Sequence, residues 1–225
     1  MKLPEEGHMA VRRTDPYIWV TWLTKLLAGE STCEWSAWYR THHKDYDKLP
    51  VDFDLARWTV EHSELVNVRR EQLLDEGHEV YVEDENAFKR KGRTGIVVSG
   101  KPDLLAIRDG GGVLEDCKTG RPRMSDQLQV LVYLLLLPIK NPRTENVALE
   151  GRVVYKTGSI DVPLSRLDDA FRERFVALVQ RVGGEKPLAK TPAWSECRWC
   201  DIGPADCLYR VSEPPESIEA ETDLF

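Results

Sequence analysis

No apolar run in this sequence reaches membrane-spanning length. The longest, residues 131–138, ends on a proline and falls well short of the roughly 20 residues that a spanning helix needs. Near the start, Glu5, Glu6, Arg12 and Arg13 stand where a secretory signal would carry an apolar stretch, so a cytoplasmic protein without a membrane partner is expected. Cysteine is scarce, with five in 225 residues. In a reducing compartment so few thiols argue against a disulfide framework and make metal binding the better account of any that cluster. Basic charge is also in deficit: 31 Lys and Arg face 38 Asp and Glu, for a formal charge of −7. Residues 212–225, however, hold Glu213, Glu216, Glu219, Glu221 and Asp223 with no Lys or Arg, which accounts for five of the seven. The remaining body is near neutral, so net charge does not exclude a nucleic-acid partner. No internal repeat and no helix-turn-helix or other base-reading module is visible, and sequence-specific recognition is not expected.

The chain is long enough for one domain with a core of its own. Apolar spacing predicts helices over 17–28, stopped by Gly29, over a short stretch holding Cys33, Trp35, Trp38 and Tyr39, and over 54–76, stopped by Gly77. The third helix would line up Leu55, Trp58, His62, Leu65, Val66, Arg69 and Leu73 as its inward stripe. The middle then changes character. Residues 79–88 alternate, 95–107 are rich in β-branched side chains, and 113–118 form a short run bounded by glycines; these read as strands. An apolar helix over 124–137, strands over 147–155 and 159–162, and an amphipathic helix over 167–182 follow. The fold class is α/β, with a central mixed sheet flanked by helices. One domain is expected over 1–211: a helical part (1–53), a core (54–183) and a cysteine segment (184–211), followed by an acidic tail (212–225) expected to be disordered.

Most of the chemistry lies in Gly100-Lys101-Pro102-Asp103 and Glu115-Asp116-Cys117-Lys118-Thr119-Gly120. Side chains alternate along a strand, so Asp116 and Lys118 share a face and Cys117 points away. If the neighbouring strand sets Asp103 beside them, two carboxylates and an ammonium converge. Paired carboxylates repel unless one is protonated or a cation lies between them, and Mg²⁺ or Mn²⁺ suits such oxygen donors. An isolated D-x-K is common in proteins; its neighbours add weight. Gln129 and Tyr133, four apart on the next helix, share a face and are in reach of a phosphate or a metal-bound water. His62 is a candidate ligand. Arg121 and Arg123 leave the strand beside Lys118, and Lys89, Arg90, Lys91 and Arg93 are placed at a hairpin tip, both useful near a phosphate backbone.

The cysteines form a second constellation. Cys197-Arg198-Trp199-Cys200 is followed by Cys207 after six residues, with Cys33 far upstream. Four thiolates suit either Zn²⁺ or an iron–sulfur cluster, and spacing alone does not decide. Cys117 reads as a buried small hydrophobe.

The order His62, Gly100-x-x-Asp103, Asp116-x-Lys118-Thr119-Gly120, Gln129-x-x-x-Tyr133 resembles the RecB-type branch of the PD-(D/E)XK nucleases over roughly 57–133. The resemblance implies a restriction-endonuclease-like sheet and a metal-dependent DNA nuclease. It implies His62, Asp103, Asp116 and the Cys117 carbonyl as ligands of Mg²⁺ or Mn²⁺, Lys118 as the catalytic lysine, and Gln129 and Tyr133 as its supporting motif. One cysteine before the core and three after it are similar to the iron–sulfur nucleases of the CRISPR-adaptation (Cas-four) and AddB type. That likeness implies a [4Fe–4S] cluster on Cys33, Cys197, Cys200 and Cys207 pinning the last segment to the first. A second class of reading is a DNA-binding or scaffolding subunit with little activity of its own; the intact Asp103, Asp116 and Lys118 favour the enzyme. The tail ends in Thr222-Asp223-Leu224-Phe225, similar to the peptides that dock on sliding clamps; the two readings are a protein partner bound there and a solubilising tail with a chance apolar end.

Overall fold

The structure, a computed structural model, describes residues 10–50 and 53–215. In chain order its elements are β1 (Val11–Arg12), β2 (Tyr17–Trp19), α1 (Val20–Leu27), α2 (Glu34–His42), β3 (His43–Lys44), α3 (Leu55–Asp75), β4 (Glu79–Val82), β5 (Phe88–Lys91), β6 (Val97–Gly100), β7 (Leu104–Arg108), β8 (Gly111–Lys118), α4 (Met124–Leu136), β9 (Ala148–Tyr155), β10 (Gly158–Val162), α5 (Asp169–Val182) and α6 (Trp194–Cys197). The main sheet runs β10-β9-β8-β7-β4. It is antiparallel except for the central β8–β9 pair, which α4 connects in parallel. A second sheet, β2-β6-β5, lies apart from it, and β1 pairs with β3.

Alternation along the central strands gives the main sheet two buried faces. Leu105, Leu114 and Val153 join α1, α4 and α5 in the larger core. Leu104, Ala106, Cys117 and Val154 meet Val66 and Leu73 of α3 in a smaller one. A third cluster, Trp35, Trp38, Tyr39, Tyr46 and Ile202, joins α2 to the cysteine segment. The mixed α/β class and the flanking helices match the expectation.

Several local expectations give way to tertiary pairing. Residues 17–19 are a strand rather than the start of a helix. Tyr17, Ile18 and Trp19 pair in parallel with Val97, Val98 and Ser99, and the helix begins at Val20. The stretch 95–107 is two strands in two sheets, split at Gly100-Lys101-Pro102-Asp103. Pro102 offers no N–H to a ladder. A Cβ on Gly100 would stand 2.7 Å from both the Phe88 and the Tyr133 rings, so only glycine permits that close approach. Residues 79–88 are likewise interrupted, by a 3₁₀ turn at Glu83–Asn86. The cations placed at a hairpin tip are mostly in strand β5. The turn itself follows at 92–95, and of the four only Arg93 lies in it. On α3, Val66 and Leu73 are buried as expected, but Leu55 and Trp58 are exposed. The acidic tail from 216 onward lies outside the described residues.

Candidate functional site

The chain changes sheets at Gly100–Asp103, and that corner brings the scattered motif residues together. Asp103 is buried, and its Oδ2 accepts the Cys117 backbone N–H at 2.7 Å, which fixes it against the end of β8. Its Oδ1 lies 3.4 Å from His62 Nε2 on α3. Contact with Asp103 raises the His62 pKa, with burial opposing. The Trp58 indole stacks on the His62 ring one turn earlier, with centroids 4.8 Å apart and planes 13° from parallel, and so sets the ring's tilt. His62 Nδ1 is buried without a hydrogen-bond partner.

Asp116 is 1% exposed and faces α4. Lys118 Nζ stands 2.6 Å from its Oδ2, an ion pair outside hydrogen-bond geometry that leaves this buried oxygen without a hydrogen bond. Gln129 Nε2 donates to Asp116 Oδ1 at 3.1 Å and to Tyr133 Oη at 2.9 Å. Burial pushes the Asp116 carboxyl up to about 7; Lys118 opposes this and the Asp103 charge adds to it. A buried carboxylate with an unfilled lone pair beside a second carboxylate is a donor set that a cation completes. Gln129 and Tyr133 are themselves buried, at 6% and 2% exposure, so they hold Asp116 from behind instead of reaching out to a phosphate. Cys117 points to the opposite face, into the α3 core, as alternation requires.

One residue was not singled out in the sequence. Glu83 opens the 3₁₀ turn beside Asp103, and the ligand atoms of His62, Glu83 and Asp103 all lie within 4.8 Å of one another. Asp116 is not in that group. No motif marks Glu83; it is one of four polar residues in a row, and its position depends on the turn docking against the 102–103 corner. Glu115 was also passed over. It is wholly buried on the α3 side, where Arg69 grips it at 2.7 and 2.9 Å and Arg152 at 3.2 Å. This fork–fork pair ties α3, and therefore His62, to β8.

The basic residues divide. Arg121 and Arg123 are exposed at the exit of β8, beside Lys118. Arg90 instead donates to the carbonyls of Leu136 and Leu137, closing the end of α4, and Lys91 pairs with Asp15. Lys89 lies over the Tyr17 ring.

Cys33, Cys197, Cys200 and Cys207 are free thiols that line one cavity of about 1060 Å³. Among the described residues no three of these sulfurs lie within 4.8 Å of one another. Glu196 staples the segment to the N-terminal part: its carboxylate accepts Ser31 Oγ at 2.5 Å, Thr32 N–H at 2.9 Å and Cys33 N–H at 3.2 Å. Arg40 Nη2 meets Asp201 at 2.7 Å and Cys200 Sγ at 3.6 Å, and Tyr46 Oη donates to Asp201 at 3.1 Å. Burial raises the Cys200 thiol, with Arg40 opposing.

A family model of the PD-(D/E)XK nuclease superfamily matches residues 21–205. The chain belongs to that superfamily. The match spans the core, both motif strands and Cys33, Cys197 and Cys200, and ends two residues before Cys207. A PD-(D/E)XK nuclease hydrolyses phosphodiester bonds with divalent metal, so this chain is a metal-dependent nuclease by family, and His62, Glu83 and Asp103 are a group that could hold such an ion. One solved structure, that of SSO0001, is similar to the chain over 86% of this chain and 89% of that one, with 17% identity and a TM-score of 0.44; so slight a likeness carries no argument. No curated protein matches the chain. Among the described residues, no helix of this nuclease is long and apolar enough to cross a membrane.

Proposed function

We propose that this PD-(D/E)XK protein is a deoxyribonuclease of the RecB-type branch, acting as an exonuclease on single strands or DNA ends, with a [4Fe–4S] cluster of the kind implied by its likeness to the CRISPR-adaptation and AddB nucleases. The observation that carries the reading is the convergence of His62, Asp103, Asp116 and Lys118 at one corner, with Gln129 holding Asp116 from below. His62, Asp103, Asp116 and the Cys117 carbonyl would hold Mg²⁺ or Mn²⁺. When bound, such an ion supplies an activated water and neutralises charge that develops on the phosphate. Lys118 keeps an ammonium 2.6 Å from Asp116, where it orients that water or steadies the phosphoryl oxygens. Arg121 and Arg123 would track the strand by contacts to phosphate, which need no particular sequence. Of the four cations 89–93, Arg93 is the one left at the turn for the same task.

For the thiols, the cluster rests on the likeness to the iron–sulfur nucleases; four thiolates would equally suit Zn²⁺.

The test is cleavage of end-labelled single- and double-stranded DNA by protein purified without oxygen, with Mn²⁺ or Mg²⁺ and with chelator. Metal-dependent degradation from ends, lost in Asp116→Ala, is the expected result. Undiminished cleavage by that variant, once contamination is excluded, removes the assignment. Tight DNA binding without cleavage under any metal would favour the scaffolding subunit.

A further inference from the structure

Glu83 has no place in the motif-derived ligand set, yet the fold goes to some length to hold it there. Its φ is 43°, in the left-handed region that a glutamate rarely enters. That conformation is strained for a residue with a Cβ, and it persists where the surroundings over-determine it, often at functional sites. Here they do. The Glu83 N–H donates to the Asp103 carbonyl at 2.8 Å. Two residues on, Glu85 accepts the Val82 N–H at 2.9 Å. Buried Asn86 donates to the Tyr81 carbonyl at 2.8 Å and the Pro102 carbonyl at 3.4 Å. The turn is thus clamped to the same corner that carries Asp103.

The result sets two carboxylates and an imidazole around one point. Glu83 and Asp103 bring carboxylate oxygens within 4.8 Å of each other and of a His62 nitrogen. Lys101 stands 3.8 Å from Glu83 but closer, at 3.1 Å, to Asp84, so its ammonium is shared. The Asp116 Oδ2 is buried and makes no hydrogen bond, although the Lys118 ammonium pairs with it at 2.6 Å. Glu83 is 40% exposed on its side chain, so its carboxylate borders both the corner and solvent.

We propose that Glu83 is a ligand of the divalent metal, together with His62 and Asp103. The proposal rests on the metal-dependent reading above and deepens it. It gives the site a third carboxylate beside Asp103 and Asp116. More ligand charge means tighter cation binding, so the metal is retained before any nucleic acid arrives.

The experiment is Mn²⁺ titration of the full-length protein without DNA, following loss of the free-ion electron paramagnetic resonance signal. Wild type is compared with Glu83→Gln, Glu83→Asn and Asp116→Asn, and melting in chelator checks each fold. Glu83→Gln is expected to weaken Mn²⁺ binding at least about ten-fold, the low end of losses seen on disturbing a metal site. Glu83→Asn should weaken it as much while its metal-free melting temperature stays level or rises, because asparagine tolerates left-handed backbone. Wild-type affinity in both Glu83 variants, with weakened binding in Asp116→Asn, overturns the Glu83 assignment and leaves the metal site standing. A wild-type protein that takes up no Mn²⁺, or uptake that none of the three substitutions alters, overturns both.

Discussion

Asp116 is held by neighbours of two kinds, and they predict two sizes of effect. Lys118 supplies charge at Oδ2, while Gln129 supplies a neutral donor at Oδ1 and is braced by Tyr133. Gln129→Ala removes an orienting group but no ligand and no charge. It should lower Mn²⁺ affinity or turnover by about 10- to 100-fold, measured beside Asp116→Ala, which should give no cleavage at all. Equal losses in the two variants would mean that Gln129 does more than orient. Gly100 offers a sharper steric test. A methyl there would meet two aromatic rings at 2.7 Å, and overpacking of that kind costs about 1–3 kcal/mol. Gly100→Ala should therefore lower the denaturation midpoint and also loosen Tyr133 from Gln129. A wild-type midpoint would show that the rings give way freely.

At the scale of elements, the question is what keeps α3 in register with β8. Two fully buried side chains, Val66 and Leu73, are a thin apolar attachment for a 21-residue helix. The Glu115–Arg69 pair is the polar counterpart, with Glu115 wholly buried. Removing one partner breaks a buried pair, so Glu115→Ala or Arg69→Ala should each lower stability in denaturant unfolding. The loss should stay under about 3–5 kcal/mol, the cost of a fully stranded charge, because Arg152, Glu76 and Asp161 remain as partners. Replacing both by apolar side chains, as in Glu115→Leu with Arg69→Met, should recover much of that loss. Failure of the double variant to recover would place the cost in Arg152, the third member of the network. The regular elements here were mostly legible in the sequence. Helices α3, α4 and α5 carry helical periodicity, and β8, β9 and β10 carry turn signals at their ends. Strand β2 was not legible, because Tyr17-Ile18-Trp19 also fits the apolar spacing of the helix that follows. Its strand state comes from pairing with Val97–Ser99, some 80 residues away.

For the whole molecule, the cysteine segment acts as a strap from the last part of the chain to the first. Each of Cys33→Ser, Cys197→Ser, Cys200→Ser and Cys207→Ser should bleach the anaerobically purified protein and lower its stability, because a cluster on these thiols joins segments far apart in sequence. Cys117→Ser should stay coloured, since Cys117 lies in the α3 core. Iron analysis decides, and one zinc in place of iron would overturn the choice of metal. The strap also has a pH signature. Burial alone would raise the Glu196 and Asp201 carboxyls, but the Ser31 and Thr32 donors hold Glu196, and Arg40 holds Asp201, below the usual carboxylate range. Both bind protons less readily folded than unfolded. Their contribution is therefore complete above the unfolded pKa of about 4, and is lost as pH falls through the lower folded values. Proteolysis of residues 184–211 should accelerate as pH drops below about 4, and Glu196→Gln should be susceptible already at neutral pH. An acid-insensitive strap would mean that its apolar contacts with Trp35, Trp38 and Tyr39 suffice.

What the sequence determined by itself was the chemistry on offer. Strand alternation put Asp116 and Lys118 on one side and Cys117 on the other, helical spacing put Gln129 and Tyr133 together, and the clustered cysteines offered four thiols to one candidate site. These are local properties with fixed periods, and they survive in any fold that keeps the elements. The tertiary structure alone decided which groups meet. Arg90 meets the last carbonyls of α4 and Lys91 meets Asp15 because the fold sets those groups beside them. Glu115 became a buried anchor because Arg69 lies across it. Glu83 joined His62 and Asp103 because a strained turn docks on the corner where the chain changes sheets. Encounters of that kind depend on contacts between residues far apart in the chain, and no period within a single segment encodes them.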